Sequence, residues 1–463
     1  MTLPVVLGLV LAAGSFALAT ALPSSDPDLY WHLASAKWMV DHGGLLTRDP
    51  FSHTAAGAPY SVGEWLGELA WFAAYRLGEW QGIAVLRGLL VAITTFFATR
   101  AGLLVQPRPS IAILPLLAAL AISKTTWTDR PQLFTLALFA VFFFVLLRAH
   151  LAGGARAIWI LPPLLLLWTN LHGGYALGLV LSGLFALAAF VERRPHAKAL
   201  VAALVLSAGL SALNPASLGP LGAVGHAASP PRFIVEELPP DLFSAQGATF
   251  GALLLATLAS ALVAGSLGAL WPIVLIPLAW LGLSAQRHLA VAAIAFAAYV
   301  ALAGPLAVER VLPRARQVAA RRLSARPAIG TFLALALLAS SIGSARAAPS
   351  APDESAYPRG ALAALSAARG NLLNEYDWGG YLIWNAPDHP VFIDGRLFLF
   401  LPDVFADYQE ASGLGPRFRD VLERRRIDVV LLRPSRPLAV FLRETGWQVR
   451  AEDRDRFVLL MRP

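Results

Sequence analysis

Apolar residues come in long runs along the first three quarters of this chain. Runs near 3–22, 82–104, 110–127, 131–149, 157–171, 174–191, 199–215, 248–264, 267–283, 289–306 and 327–344 carry few charges. At 1.5 Å per residue, most are long enough to cross a hydrocarbon core about 30 Å thick, which predicts about eleven transmembrane helices. After Arg346 the pattern changes. A Pro, Ser and Ala linker leads into short β-rich runs near 371–375, 390–394, 428–433, 447–452 and 456–462, alternating with helical ones near 356–368, 402–411, 416–425 and 436–445. Asp428–Leu432 is apolar on both faces, as a buried, parallel strand would be. The expected architecture is a polytopic α-helical membrane domain over 1–346, its first loop at 23–81, followed by a water-soluble α/β domain over 350–463.

Composition agrees. The 463 residues are 57% hydrophobic and 14% charged, too little polar surface to wrap a soluble core of this size. The Ala-Thr-Ala before Leu22 resembles a signal-cleavage site, but the first run lacks a basic n-region and is long, so an uncleaved helix fits better. With no cysteine, disulfides, thiolate metal sites and cysteine nucleophiles are excluded. Arginine outnumbers lysine 34 to 3, a composition that suggests a high-GC genome and a bacterial inner membrane.

Basic residues orient the helices. Arg100, Arg108, Arg148, Arg156, Arg193, Arg194, Lys198, Arg310, Arg314, Arg316, Arg321, Arg322 and Arg326 fall in loops on one side, whose opposite short loops hold only Lys124, Arg130, Arg232 and Arg287. By the positive-inside rule the N-terminus is cytoplasmic and the C-terminal domain extracytoplasmic. The net charge of +8 is a topology signal and implies no nucleic-acid partner, since the tail from 350 is nearly balanced, with 15 Arg against 16 acids. This topology puts five polar motifs at outward helix ends: Asp26-Pro-Asp28, Asp129-Arg-Pro-Gln132, Asn170-Leu-His-Gly-Gly174, Glu236-Glu-Leu-Pro-Pro-Asp241 and Gln286-Arg-His288. Such groups can line one outward-facing pocket.

The first loop is too long for a mere connection. From Asp28 to His42, Leu29, Leu33, Ala36, Met39 and Val40 have helical spacing, with Trp31 and Trp38 on another side, the pattern of an interfacial helix with tryptophan anchors. A second helical run spans about 60–77, with Glu64 and Glu68 on one face. Asp26 before Pro27 reads either as an N-cap or as a catalytic acid. Asp28 has His32 one turn later, setting a carboxylate beside an imidazole. For Glu64 and Glu68 the simpler reading is a solvated or hydrogen-bonded surface pair.

A first helix ending in Asp26-Pro-Asp28 and followed by a long outward loop with membrane-parallel helices resembles the GT-C superfamily of polyprenyl-phosphate-sugar-dependent glycosyltransferases. More narrowly, Asp26-Pro-Asp-Leu-Tyr-Trp-His32, Asp49-Pro-Phe-Ser-His-Thr54, Glu64-Trp-Leu66, Asn170-Leu-His-Gly173, Tyr376-Asp-Trp-Gly-Gly-Tyr381 and Phe392-Ile-Asp-Gly-Arg396 are similar to a large bacterial group within it. The resemblance implies inverting transfer of a hexosyl or pentosyl group from a lipid-phosphate donor to a glycan, lipid or protein acceptor on the outer face. It also implies a first-loop acid, Asp28 or Asp26, as general base on the acceptor hydroxyl or as metal ligand. The proline between these acids departs from the adjacent Asp-Glu pair of the protein mannosyltransferases.

Displacing a lipid phosphate needs a base for the acceptor proton and a cation for the developing charge. Arg130, Arg287 and His288 are the cations on the expected face, against the alternative of snorkelling to headgroups. Asn170 and His172 suit hydrogen bonds to a sugar or to a neighbouring helix. Asp394-Gly-Arg396 is first a turn, with substrate contact by Asp394 and Arg396 as the alternative. Asp26 and Asp28 with water are the candidate ligands for Mg2+ or Mn2+. Two other classes fit the same features, a transporter of lipid-linked sugars, for which no inverted repeat is visible, and a silent scaffold of envelope-polysaccharide assembly.

Overall fold

The computed structural model describes residues 2–60, 62–215, 235–312 and 327–463. Arg232, Arg314, Arg316, Arg321, Arg322 and Arg326, which carried part of the orientation argument, lie outside the described residues. The chain forms two compact units, one of residues 1–23 with 77–350, the other of residues 24–76 with 351–463. The first loop, grouped with the membrane helices in the sequence reading, thus shares a unit with the tail.

The first unit is helical. Leu3–Thr20, Pro109–Thr126, Gln132–Ala152, Ala245–Ala264, Gln286–Val311 and the long helix Trp65–Val105, of which only the part from Leu77 on belongs to this unit, are long and apolar enough to cross a bilayer. Arg156–Leu171, Tyr175–Val191, Ala197–Ser211 and Leu270–Ser284 are shorter apolar helices, and Pro327–Arg346 follows as another helix. Each of the eleven expected runs falls on one of them. Ala245–Ala264 and Pro109–Ser123 pack on Leu289–Val311, and Leu161–Leu171 and Tyr175–Val191 pack on Ala197–Ser211. Leu262, Phe190 and Leu114 stay more than 70% exposed, as lipid-facing side chains do. This is a multi-pass membrane protein.

Arg87 is a buried charge inside these apolar helices. It is 1% exposed, donates through Nη1 to both oxygens of Asp129 at 2.8 and 2.9 Å, and caps carbonyls at the end of the first helix, Ala19 O at 3.0 Å and Leu22 O. Asp129 is itself 1% exposed. A charge at this depth survives because its fork is filled by a carboxylate and by carbonyls at the end of the first helix.

The second unit is α/β. Strands β1 (Asn371–Asn374), β2 (Ile427–Leu432), β3 (Gln448–Asp453) and β4 (Phe457–Met461) form one sheet of order β1-β2-β4-β3. β1 and β2 are parallel, while β4 runs antiparallel to both β2 and β3. β2 is buried at five of six positions, as its two-faced apolar pattern requires. Asp403–Ser412, Phe418–Arg424 and Pro437–Glu444 are helices where helices were expected. Residues 390–394 make no ladder strand. Asn374 Oδ1 accepts from Phe392 N at 2.8 Å, and Val391 exchanges backbone bonds with the first loop, donating to Phe51 O and accepting from His53 N. The expected helix at 356–368 shrinks to Leu362–Ser366, preceded by one tight turn after Pro358.

Both first-loop helices form. Pro27–His42 buries Leu29, Leu33, Ala36 and Met39, as its spacing predicts, while Val40, expected on the same face, is exposed. Trp31 is not a surface anchor: it is buried, with its indole N–H donating to Asp28 Oδ1 at 3.1 Å. The second run begins at Trp65 rather than 60 and is broken from the following span at Gly78 and Glu79, where Glu79 takes φ 48°.

Candidate active site

In the second unit, Asp26 is the N-cap of Pro27–His42, its carboxylate accepting from Asp28 N at 3.0 Å. The capping reading therefore holds for Asp26. Asp28 lies in the first turn of the same helix. It is half-buried, accepts the Trp31 indole N–H, and lies directly under Gly395, where a Cβ would stand 2.0 Å from Asp28 Oδ1. Gly380 approaches the same helix start, a Cβ there meeting Pro27 O at 2.6 Å. The glycines of Trp378-Gly-Gly-Tyr381 and Asp394-Gly-Arg396 thus let the tail's backbone close over the Asp-Pro-Asp turn.

Asp394 and Arg396 are fully buried. Arg396 forks onto Asp394 Oδ1 and Oδ2 at 2.9 and 2.6 Å and reaches Asp49 Oδ1 of the first loop at 2.7 Å, with its guanidinium 5.0 and 5.2 Å from the Phe51 and Tyr60 ring centres. These bonds make the pair a clamp between loop and tail and set the position of Gly395. Direct contact with a substrate is not what their burial supports.

His32 and Glu64, expected near a substrate, meet Glu68. His32 Nδ1 lies 3.1 Å from Glu68 Oε1 and 3.8 Å from Glu64 Oε1. Glu68 is 0% exposed and Glu64 26%, so of the expected solvated or hydrogen-bonded surface pair Glu68 is instead buried. Burial above all, then the Glu64 carboxylate, pushes the Glu68 carboxyl well above its usual range, against the pull of Arg396. Among the described residues, His32, Glu64 and Glu68 are the one group of three whose ligand atoms cluster within 4.8 Å; Asp26 and Asp28 are not part of it.

In the helical unit the other motifs converge. Arg130 pairs with Glu236 at 3.3 Å and Arg287 with Glu237 at 2.9 Å, and both arginines lie within electrostatic reach of His172. His172 Nδ1 accepts from Gly174 N at 3.0 Å and from the Thr135 hydroxyl at 2.8 Å, which in turn accepts the Trp168 indole N–H at 2.9 Å, an arrangement that leaves the ring proton on Nε2. Only glycine fits at 174, where a Cβ would stand 2.3 Å from Thr135 Oγ1. Asn170 donates to Leu166 O within its own helix at 2.8 Å. His288, half-buried, follows Arg287 directly. Four of the five polar motifs, those of residues 129–132, 170–174, 236–241 and 286–288, thus build one arginine-rich, partly solvated cluster. Sequence reading missed Arg87, took Glu68 for a surface residue and named Asp49 only within a motif; a lone arginine in the apolar run 82–104 was the signal for the first.

Stacked apolar helices, a first-loop helix begun by Asp26-Pro-Asp28 and an α/β tail make up a fold that recurs among solved structures. ArnT from Cupriavidus metallidurans, solved bound to undecaprenyl phosphate, shares it with TM-score 0.50 and 14% identity over 98% of this chain and 97% of that one. The oligosaccharyltransferase of Archaeoglobus fulgidus, solved tethered with an acceptor peptide, shares it with TM-score 0.52 and 14% identity over 92% of this chain and 68% of that one. No family model matches the sequence, nor does any curated protein.

Proposed function

We propose that this protein is a membrane glycosyltransferase that moves a sugar from a polyprenyl-phosphate-linked donor to an acceptor hydroxyl. The solved structures sharing its fold include one bound to undecaprenyl phosphate and one tethered to an acceptor peptide. The observation that carries the reading is Asp28, a half-buried carboxylate oriented by the Trp31 indole beneath the Gly395 backbone. In a single inverting displacement Asp28 takes the acceptor's proton as its oxygen bonds to the anomeric carbon. The bond from that carbon to the phosphate oxygen breaks, and the electron pair leaves with the polyprenyl phosphate. Within the helical unit, Arg130 and Arg287 are each paired with a carboxylate at a partly exposed position, where an anionic group can replace Glu236 and Glu237. His172 Nε2–H and His288 are the neighbouring hydrogen-bonding groups. The protein sits in a bacterial inner membrane in this reading, with the N-terminus cytoplasmic and the tail outside.

The test is release of polyprenyl phosphate from a panel of lipid-linked sugars by the purified protein and by Asp28→Asn. A loss of about a hundredfold or more in a folded, donor-binding variant supports Asp28 as base. Equal turnover removes Asp28 from the chemistry, and a wild type that binds donor without turning it over favours a transporter or scaffold.

A further inference from the structure

The geometry points to a site for one divalent transition-metal ion built by His32, Glu64 and Glu68. Donor atoms bound at about 2.1 Å around one ion stand about 3.0 to 3.4 Å apart in octahedral or tetrahedral geometry. His32 Nδ1 is 3.1 Å from Glu68 Oε1 and 3.8 Å from Glu64 Oε1, and one ligand atom from each residue falls within 4.8 Å of the other two. Small rotations of Glu64, which is 26% exposed, complete such a set. The second observation is Glu68 itself. Its side chain is fully buried, and Glu68 Oε2 has no hydrogen-bond partner among the described residues. A buried carboxylate with an unused oxygen is costly, and a cation relieves that cost.

The nearest compensating charge is already engaged elsewhere. Arg396 is in electrostatic reach of Glu68, but its bonds go to Asp394 and Asp49. A neutral imidazole and two carboxylates carry a charge of about −2, matching a divalent ion. The imidazole favours Zn2+, Mn2+ or Fe2+ over the all-oxygen preference of Mg2+ and Ca2+. The local sequence builds the set economically. Glu64 and Glu68 are joined by the first helical hydrogen bond, Glu68 N to Glu64 O at 3.0 Å, and His32 comes from the buried face of Pro27–His42. The site differs from the Asp26 and Asp28 pair considered from sequence, and it stands whether or not the protein transfers sugars.

The experiment uses full-length protein in detergent, with its affinity tag removed and stripped by EDTA. Co2+ is titrated and followed by visible d–d absorption, then displaced with Zn2+. The expected result is one Co2+ per chain, displaced by Zn2+ and not by equal Mg2+, with affinity falling about tenfold or more in Glu64→Gln. Glu64 is the half-exposed ligand, so this variant remains decisive where Glu68→Gln or His32→Asn fails to fold. Equal Co2+ affinity in wild type and Glu64→Gln overturns the site, as does a wild type that takes up no Co2+. Neither readout involves turnover, so failure here leaves the glycosyltransferase reading where its own assay puts it.

Discussion

Arg396 Nη1 donates to Asp49 Oδ1 at 2.7 Å, joining residues 347 positions apart in a contact that is completely buried at both ends. With Asp394 on the same guanidinium, one cation serves two buried carboxylates. Removing the arginine strands both, so Arg396→Met is expected to destabilise the second unit by about 3–5 kcal/mol. Arg396→Lys should recover little, because an ammonium cannot fork onto Asp394 and still reach Asp49. Limited proteolysis between residues 43 and 60 measures this: a Lys variant as resistant as wild type would show that the clamp is dispensable.

Gly395 and Asp28 make a separable prediction. An alanine at 395 would press a methyl to 2.0 Å from Asp28 Oδ1 and 3.0 Å from the Trp31 indole nitrogen. The cheapest relief is rotation of Asp28 away from Trp31. Gly395→Ala should therefore lower kcat for polyprenyl phosphate release by about a hundredfold, with donor KM little changed, because misplacing the base by about 1 Å affects the chemical step. An unchanged kcat would mean that Asp28's orientation does not matter to the reaction.

Much of this architecture was legible because the bilayer leaves few options. Backbone groups in hydrocarbon must pair within helices, so apolar runs such as 131–149 announce themselves, and β2 did so by being apolar on both faces. The loop helix Pro27–His42 was readable from Leu29, Leu33, Ala36 and Met39. What covers a polar residue was not. The four-residue spacing of Glu64 and Glu68 says that they share a face, but only the packing of His32 against them decides that the face is inside. Likewise Asp394-Gly-Arg396 scans as a turn, and its meaning depends on Asp49, whose partnership no local pattern encodes. Trp31 looked like a membrane anchor because amphipathic spacing cannot distinguish lipid from a carboxylate acceptor.

Within the helical unit, the Arg87 and Asp129 pair is expected to behave as a charge couple. Asp129→Asn leaves the guanidinium its carbonyl acceptors, Ala19 O and Leu22 O, but no counter-charge, and should lower stability in detergent by about 3 kcal/mol or more. Arg87→Met with Asp129→Leu removes both charges and should be milder than either single change, seen as the smallest drop in Tm among the three. A double variant no better than the worse single would show that the arginine's carbonyl caps, not the ion pair, hold the first helix end.

Glu375 supplies the pH prediction. Burial alone would raise this carboxyl, but the hydrogen bond and charge of Arg436, and then the charge and backbone N–H of Arg433, overcome it and hold the group below the usual carboxylate range. Arg436 Nε donates to Glu375 Oε1 at 2.9 Å and Arg433 Nη1 at 2.8 Å, while the Tyr408 hydroxyl adds a third bond at 3.1 Å. A carboxyl depressed in the folded state contributes stability that is complete above its unfolded value, about 4.3, and is lost as pH falls through the folded one. The second unit should therefore lose Tm progressively below about pH 4.5. Glu375→Gln should already be about 1.5–3 kcal/mol less stable at pH 7, with a flatter acid limb. Trp378 is the reporter, since the Arg433 guanidinium lies 5.4 Å from its ring centre and its indole fluorescence responds when that arginine is released. Parallel acid limbs in wild type and Glu375→Gln would place the acid sensitivity on other carboxylates.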